Sequence, residues 1–395
     1  MRGRRRAAWV LAALALGCQD GGRTAATVVT APADTLVQTV DEARHVRLDE
    51  ELRVGGADAA GASFYRVGGA AFGPGGDLIV LDAGNHRVTV FGPEGTLLRS
   101  FGGQGQGPGE FERAQYMAVR GDSILVTDSG NRVHLFRTDG TLVHTRIHRE
   151  MVEGGDTWIL GPVGSTPDGL LLIASAYFRR DAEGYDGRLT PEPRIRAYRM
   201  VEDGDLEPTG LAWGHESRGQ WSGGFWVSAP FAPRPTWGVD GLGRVHVTSG
   251  EDYSIDVYDA TGTPVRTLAN RIEGRPLDDD LMDLWKEAQC RSGPECDASR
   301  NELALSLPRP DFVPPIGALR GFQEGHLAVR RWDTDPEALT RRSRGIWDLY
   351  EPSGAYLGRL PEGVMPLAFD GRRLAALERG QNDEPFVVVY RVEPR

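Results

Sequence analysis

The stretch DAGNHRVTVFGPEGTLLRSFGGQGQGPGEF, residues 82–111, decides the fold because its pattern recurs along the chain. Within it, Val88-Thr89-Val90-Phe91 alternates apolar and polar residues before an aromatic residue. Gly95 follows in a short joint, and apolar sequence resumes at Leu97-Leu98. Alternation with period two is typical of β-strands, and a glycine-containing joint is typical of the turn between antiparallel strands. The stretch therefore predicts a β-hairpin.

The same strand pattern occurs six times, each copy with an apolar residue, any residue, an apolar residue and an aromatic residue. The copies begin at Val88, Val133, Ile195, Ile255, Trp347 and Val387. Two more strands joined by a short turn precede each copy, as in FGPGGDLIVLD before the first. Four-stranded meanders bury their flat faces only when neighbouring units stack on them. The pattern therefore predicts an all-β fold, a six-bladed β-propeller with four-stranded antiparallel blades.

The sixth unit is one strand short, because the sequence stops at Arg395 soon after its aromatic strand. Residues 44–55 contain two short apolar stretches ahead of the first unit and can supply the missing outer strand. Such a closure pairs both ends of the propeller and covers two exposed sheet edges. We therefore predict that an N-terminal strand closes the last blade.

One segment, residues 278–305, departs from strand patterning. Leu281, Leu284 and Trp285 are spaced to fall on one face of a helix, and the acidic residues at the start complement the helix dipole. We predict a short helical insertion that caps the face between blades 4 and 5. The alternative for the acidic run is a cation site.

The first residues indicate export. Four arginines at positions 2, 4, 5 and 6 precede the apolar run Ala7–Leu16, which is too short to span a bilayer. Leu14-Ala15-Leu16-Gly17-Cys18 resembles the bacterial lipobox, which implies a signal peptide over 1–18 and acylation of Cys18. Ala15 replaces the commoner leucine, so a signal peptide without lipid attachment is the alternative. Residues 19–43 are interpreted as a flexible tether and 44–395 as the propeller.

The net charge bears on the class of partner, and the cysteines bear on the cellular compartment. The net charge is −11, and becomes about −15 without the four signal arginines, which argues against a nucleic-acid partner. Cys290 and Cys296 lie in a polar segment and can form a disulfide in an oxidising space, with two free thiols as the alternative. We expect a lipid-anchored monomer in the cell envelope, at the outer membrane or cell surface.

Residues 82–111 resemble NHL-repeat propellers and the related six-bladed propeller lipoproteins of bacteria, and DSGNRVHLFRTDGTL, residues 128–142, is a weaker second copy. The resemblance implies the propeller fold, but such propellers include scaffolds, sensor domains, lyases and lactonases. The second copy lacks one residue after Asn131, and no arginine stands at the offset that Arg87 fills in the first.

Function is expected on one face of the ring. The long segments 148–157, 179–193, 213–235, 270–314 and 332–344 all fall in loops between strands 2 and 3 or in crossings between blades. Insertions restricted to one face usually mark a binding face. The candidate binding residues are Asp82, Asn85, Asp128, Asn131, Trp213, His215, Trp221, Trp226 and Trp332.

Each candidate has a structural alternative. Tryptophans beside polar groups can stack on a sugar ring or anchor a peptide, but they can also pack the insertions onto the blades. The aspartates and asparagines can line the central mouth of the ring or only cap turns. The glycine-rich residues 102–109 offer amides for a phosphate, but a crossing between blades explains them better.

The sequence contains no HExxH or GxSxG motif and no calcium-loop ladder of acidic residues. We therefore predict an envelope-anchored binding module for a protein, peptide or glycan, without catalytic residues, metal or cofactor. Two alternatives stay open. Propeller lactonases and lyases collect single metal ligands from separate blades, so a metal-dependent hydrolase or lyase would leave no local motif. A structural subunit of an envelope complex would present the same surface.

Overall fold

The computed structural model shows a protein built mainly of antiparallel sheets. It describes residues 27–28, 34–41, 43–56, 63–129, 132–148, 159–166, 169–175, 195–201, 205–213, 219–222, 225–272, 274–290, 298–332 and 345–393. Within these ranges the strands form six meanders of four strands, which we number as blades 1 to 6, and one separate hairpin.

The blades follow the chain in order. Blade 1 contains Val67–Phe72, Leu78–Asp82, Arg87–Phe91 and Leu97–Gly102. Blade 2 contains Ala114–Arg120, Ser123–Asp128, Arg132–Arg137 and Leu142–Ile147. Blade 3 contains Ile159–Thr166, Gly169–Ser175, Ile195–Met200 and Leu206–Trp213. The separate hairpin, Gly219–Ser222 and Phe225–Ser228, lies in the crossing from blade 3 to blade 4.

The second half of the ring repeats this plan. Blade 4 contains Thr236–Val239, Val245–Thr248, Ser254–Tyr258 and Pro264–Arg271. Blade 5 contains Ile316–Gly321, Leu327–Arg331, Ile346–Tyr350 and Tyr356–Arg359. Blade 6 contains Met365–Phe369, Arg373–Arg379, Pro385–Glu393 and, from the N-terminal side, Arg47–Gly55. All six aromatic strands predicted from the sequence are third strands of their blades.

The blades form a closed ring. The first strand of each blade is innermost, and first strands contact each other from blade 6 to blade 1 and onward to blade 5. Blades 5 and 6 join through Arg320, whose Nη1 donates to Pro366 O over 2.7 Å, and through an apolar cluster that includes Phe322, Trp347 and Phe369. The prediction of a six-bladed β-propeller is confirmed.

The last blade is closed by the N-terminal strand, as predicted. Arg47–Gly55 pairs antiparallel with Pro385–Glu393, with Val54 opposite Val387. Val46 and Val54 are buried in the apolar clusters on the two sides of blade 6. The closure therefore adds both ladder hydrogen bonds and core contacts.

Part of the segment interpreted as a flexible tether, residues 19–43, forms strands on the propeller. Thr27–Val28 pairs parallel with the outer strand of blade 3, and Thr35–Thr39 pairs parallel with the outer strand of blade 4. Gln38 Nε2 also donates to Gly354 O on blade 5 over 2.8 Å. An outer strand leaves a row of backbone groups unpaired, and a passing chain with β-branched residues can satisfy them.

The helical insertion differs in one respect from the prediction over 278–305. In the described ranges it consists of two helices, Asp279–Cys290 and Ala298–Ser306, instead of one segment. Asp278 caps the first helix, because its Oδ1 accepts from the backbone N–H of Leu281 over 2.9 Å. Leu281 is buried, as its predicted spacing requires. Gly293 and Pro294 stand between the two helices in the sequence, and both residue types interrupt helices.

Turn lengths separate the two sides of the ring. Turns between strands 1 and 2 and between strands 3 and 4 are short, and we call their side the short-turn face. The other side, which we call the long-loop face, carries the crossings with the hairpin and both helices. The second helix contacts the strand Phe225–Ser228, so the insertions of two successive crossings lie together there.

Candidate functional site

A cleft of about 350 Å³ opens on the long-loop face between blades 4 and 5. We call it the blade 4–5 cleft. Its polar and aromatic lining includes Tyr253, Asn270, Arg271, Arg275, Phe312, Arg331 and Trp332. The volume falls in the lower range of small-ligand pockets, which is enough for a sugar ring or one or two side chains.

The rim of the cleft is shaped by the two ends of the crossing that carries the helices. They run antiparallel: Leu277 N donates to Asp311 O, and Val313 N donates to Arg275 O, each over 2.9 Å. This pairing holds Phe312 at the rim with 53% of its surface exposed. A large exposed aromatic residue beside arginine side chains is typical of a binding surface.

The floor of the cleft is a buried polar cluster on the blades themselves. Asp348 is fully buried, and its Oδ2 accepts from the Tyr253 hydroxyl over 3.0 Å. The Tyr253 and Tyr350 hydroxyls lie 2.6 Å apart, and Tyr356 OH donates to Asp348 Oδ1 over 3.3 Å. Arg331 Nε lies 4.0 Å from the same carboxylate. The residues come from blades 4 and 5, so the cluster ties the two blades together under the cleft.

Burial dominates the electrostatics of this floor. It raises the pKa of Asp348, while Arg331 and Arg359 act in the opposite direction. Burial also raises the pKa of Tyr253 and of Tyr350 well above the ordinary tyrosine value, and the neighbouring Asp348 adds to both shifts. The tyrosines therefore stay protonated and act as hydrogen-bond donors across the physiological range.

Asn270 offers the cleft an unused acceptor. Its Nδ2 donates to Tyr350 OH over 3.1 Å, which fixes the orientation of the amide. Its Oδ1 is buried and has no hydrogen-bond partner in the ranges given above, and only 8% of the residue is exposed. A buried carbonyl without a donor is costly, so a ligand N–H or O–H that reaches it would be favoured.

The structure places the candidate residues from the sequence at different points of the long-loop face or leaves them undescribed. Trp332 lines the blade 4–5 cleft. Trp213 ends the outer strand of blade 3, and Trp221 pairs with Trp226 across the separate hairpin, but their side chains lie outside the described part of the structure. Cys290 ends the first helix, and its side chain is likewise outside it. Cys18, Asn131, His215 and Cys296 lie wholly outside the described residues.

Asp82 and Asn85 brace the loop that joins strands 2 and 3 of blade 1. Asp82 accepts from Tyr65 N over 3.1 Å, from Asn85 Nδ2 over 2.7 Å and from Arg87 Nε over 3.2 Å. Arg87 Nη2 in turn donates to Ser63 O over 2.7 Å. These contacts tie the loop to the crossing that enters blade 1. Participation of Asp82 and Asn85 in ligand binding stays a prediction.

Asp128 plays the corresponding role in blade 2 and, like Asp82, is buried. Its carboxylate accepts from the backbone N–H groups of Glu112 over 2.8 Å and of Arg113 over 2.5 Å. Burial alone would raise the pKa of Asp128, but His134 and the backbone donors outweigh it and hold the pKa far below the ordinary range. Arg132 also donates to Asp128 Oδ2.

Arg132 is the structural equivalent of Arg87, although the two arginines stand at different offsets in the sequence. In the sequence, the second copy has no arginine at the offset that Arg87 fills in the first. In the sheets, Arg87 pairs with Asp82 and Arg132 pairs with Asp128, at the same point of the two blades. The loop of blade 2 is one residue shorter, so the equivalent arginine comes one position earlier in the sequence.

No metal ligands are assigned. In the portion of the chain that the structure covers, no three His, Cys, Asp or Glu side chains are grouped closely enough to hold an ion. Over the same portion, no helix has both the length and the apolar character needed to cross a bilayer.

The family model described as "NHL repeat" matches residues 64–91, which include the first three strands of blade 1. This match and the observed architecture confirm the predicted NHL-like β-propeller. No curated protein matches the chain in sequence.

Several solved structures are similar to this chain at low sequence identity. A member of the DUF4221 family from Bacteroides vulgatus is 9% identical, with a TM-score of 0.52 over 90% of this chain and 100% of that chain. A Bacteroides fragilis protein described as exported is 13% identical, with a TM-score of 0.48 over 91% and 99%. Virginiamycin B lyase from Staphylococcus aureus is 8% identical, with a TM-score of 0.40 over 88% and 94%.

Proposed function

We propose that this NHL-like β-propeller is an exported binding protein, anchored to the cell envelope by lipid on Cys18, that holds a peptide segment of a partner in the blade 4–5 cleft without catalysing a reaction. The observation that carries the proposal is the cleft itself. It combines an unsatisfied buried acceptor, Asn270 Oδ1, with exposed aromatic surface at Phe312.

The composition of the cleft favours a peptide. Arg271, Arg275 and Trp332 belong to the residue types that dominate the energetics of protein interfaces. Asn270 Oδ1 accepts one hydrogen bond, which a peptide N–H can donate without bringing a charge into the cleft. A sugar hydroxyl can make the same bond, so a glycan is the competing ligand that the experiment has to separate.

We expect Trp332→Ala to weaken ligand binding at least tenfold, because removal of a central tryptophan from an interface typically costs about 2 kcal/mol or more. The probes are a display library of short random peptides and a printed glycan array, both screened with the purified propeller. The affinity of each hit is then measured for the wild type, Trp332→Ala and Asn270→Ala.

Leu242→Ala is the matched control, because Leu242 is also an exposed apolar residue of blade 4 but lies in a turn on the short-turn face. It should leave every affinity unchanged. Peptide hits that need Trp332 and Asn270 support the proposal, and glycan hits that need them assign the cleft to a sugar. Hits that bind all variants equally, or the absence of hits in both screens, would refute a ligand site in the cleft.

The proposed anchor has its own test. Cys18→Ser should abolish incorporation of labelled palmitate and move the protein from the membrane fraction to the soluble exported fraction, because the thiol that carries the lipid is lost. Cys290→Ser is the control and should stay in the membrane fraction. Unchanged labelling of the Cys18 variant would contradict the anchor while leaving the binding proposal intact.

A further inference from the structure

A second cavity, also of about 350 Å³, lies on the axis of the ring. The innermost strands enclose it, with Gly69 of blade 1, Tyr116 of blade 2, Trp237 of blade 4 and Arg320 of blade 5 in its wall. It is separate from the blade 4–5 cleft and shares none of the residues that line the cleft. We call it the axial cavity.

The wall of the axial cavity differs in charge from the rest of the protein. The chain carries a net charge of −11. The six innermost strands read VGGAAF, AQYMAVR, ILGPVGST, TWGV, IGALRG and MPLAF. They contain no aspartate or glutamate, and their only charged residues are two arginines. The one acidic residue in the wall, Asp240, follows the innermost strand of blade 4, and its carboxylate is already paired with Arg244 and His246.

Two half-buried arginines lie at this cavity or beside it. Arg320 is in its wall and Arg330 is on the adjacent strand, where it pairs with Ala318. Arg330 lies opposite Ala318, which is two residues from Arg320 on the same strand. Side chains two residues apart on a strand point to the same side of the sheet. The two arginines therefore share one side of blade 5.

Neither guanidinium has a negative partner among the described residues. Arg320 Nη1 donates to Pro366 O over 2.7 Å, and Arg330 Nη2 donates to Gly317 O over 3.2 Å. No carboxylate of the described part of the chain contributes to the electrostatics of either group. Burial lowers the pKa of Arg320 to about 10, and the like charge of Arg330 adds to the shift.

Tyr116 completes the polar surface of the cavity. Blades 2 and 5 stand opposite each other in a ring of six, yet Arg320 is close enough to act on the pKa of the Tyr116 hydroxyl, which burial raises. Both residues line the axial cavity, which therefore spans the space between the two blades. The hydroxyl keeps its proton at neutral pH and can donate alongside Arg320.

We propose that the axial cavity binds a small oxyanion, a carboxylate or a phosphate, through Arg320, with Tyr116 as a second donor and Arg330 as a supporting charge. Buried charges are normally paired, and an arginine binds carboxylate and phosphate groups through two parallel hydrogen bonds. An anion would supply the counter-charge that the chain does not. This site does not depend on ligand binding in the blade 4–5 cleft.

The test is the melting temperature of the purified propeller in acetate, in phosphate and in chloride at equal ionic strength. A ligand that binds only the folded state raises the melting temperature, by about 3 °C or more at saturation. We expect a saturable rise of the melting temperature in acetate or in phosphate but not in chloride. A rise in acetate identifies a carboxylate site, and a rise in phosphate identifies a phosphate site. No rise in either oxyanion would overturn the proposal.

Variants separate binding from general salt effects. Arg320→Met should lose the anion-dependent rise, because an apolar chain of similar length replaces the guanidinium that binds the anion. The rise is measured from the variant's own melting temperature in chloride, because the variant also loses the hydrogen bond to Pro366 O. Arg137→Met, at an exposed arginine of blade 2, should keep the full rise. If Arg320→Met does not fold, Arg320→Lys serves instead and should weaken the response. A rise that is equal in the wild type and the Arg320 variant would refute the site.

Discussion

Deletion of residues 44–55 should lower the melting temperature by about 10 °C or more, because it opens the ring at blade 6. The deletion removes the whole ladder between Arg47–Gly55 and Pro385–Glu393. It also removes Val46 and Val54, each buried to about 95% and each contributing about 2 kcal/mol by burial. The strand Pro385–Glu393 becomes an exposed edge, so the variant should also aggregate. The measurements are thermal unfolding and light scattering.

A peptide added in trans gives this prediction a sharp control. A synthetic peptide of residues 44–55 should restore the melting temperature of the deletion variant, because an extended segment can add to an open sheet edge. The same peptide with Leu52→Asp and Val54→Asp should not, because those positions face the partner strand and the core. An unchanged melting temperature after deletion would show that the closure adds little to stability.

The closure was predictable from sequence, whereas the two parallel edge strands were not. A blade that ends one strand short requires a partner, and residues 44–55 supply an apolar stretch directly ahead of the first blade. Thr35–Thr39 pairs with the outer strand of blade 4. Blade 4 already has its four strands, so the repeat pattern does not predict a fifth. Leu36 and Val37 remain exposed there, so hydrophobic pattern gives no signal for this pairing.

The face that carries the insertions was also predictable, but the cleft on it was not. Trp332 was a candidate because a tryptophan in a long loop either packs the loop or binds a ligand. Asn270 and Tyr253 sit in or beside ordinary strands of blade 4, and nothing local shows that they meet Asp348 of blade 5. One signal was present: Asp348 occupies the free position of the strand pattern Trp347-Asp348-Leu349-Tyr350, between apolar residues that become buried on both sides.

Asp128→Asn should lower the free energy of unfolding at pH 7 by about 3 kcal/mol, because it leaves the buried Arg132 with only the half-exposed Glu112, 4.0 Å away, as a negative neighbour. Asn retains one acceptor, so part of the backbone hydrogen bonding survives, and the loss reports mainly on the charge. Asp122→Asn is the matched control within blade 2. Its ion pair with Arg137 is more than half exposed on both sides, so the change should be below about 1 kcal/mol.

The pH dependence of the same two variants distinguishes the charge from packing. The pKa of Asp128 is depressed in the folded protein, so the stabilisation is fully present above the unfolded value of about 3.9 and is lost as the pH falls towards the folded value. The stability difference between the wild type and Asp128→Asn should therefore be largest near neutral pH and shrink on acidification below about pH 4. Urea unfolding at several pH values measures this difference. A difference that stays constant with pH would mean that Asp128 acts through the shape of the loop and not through its charge.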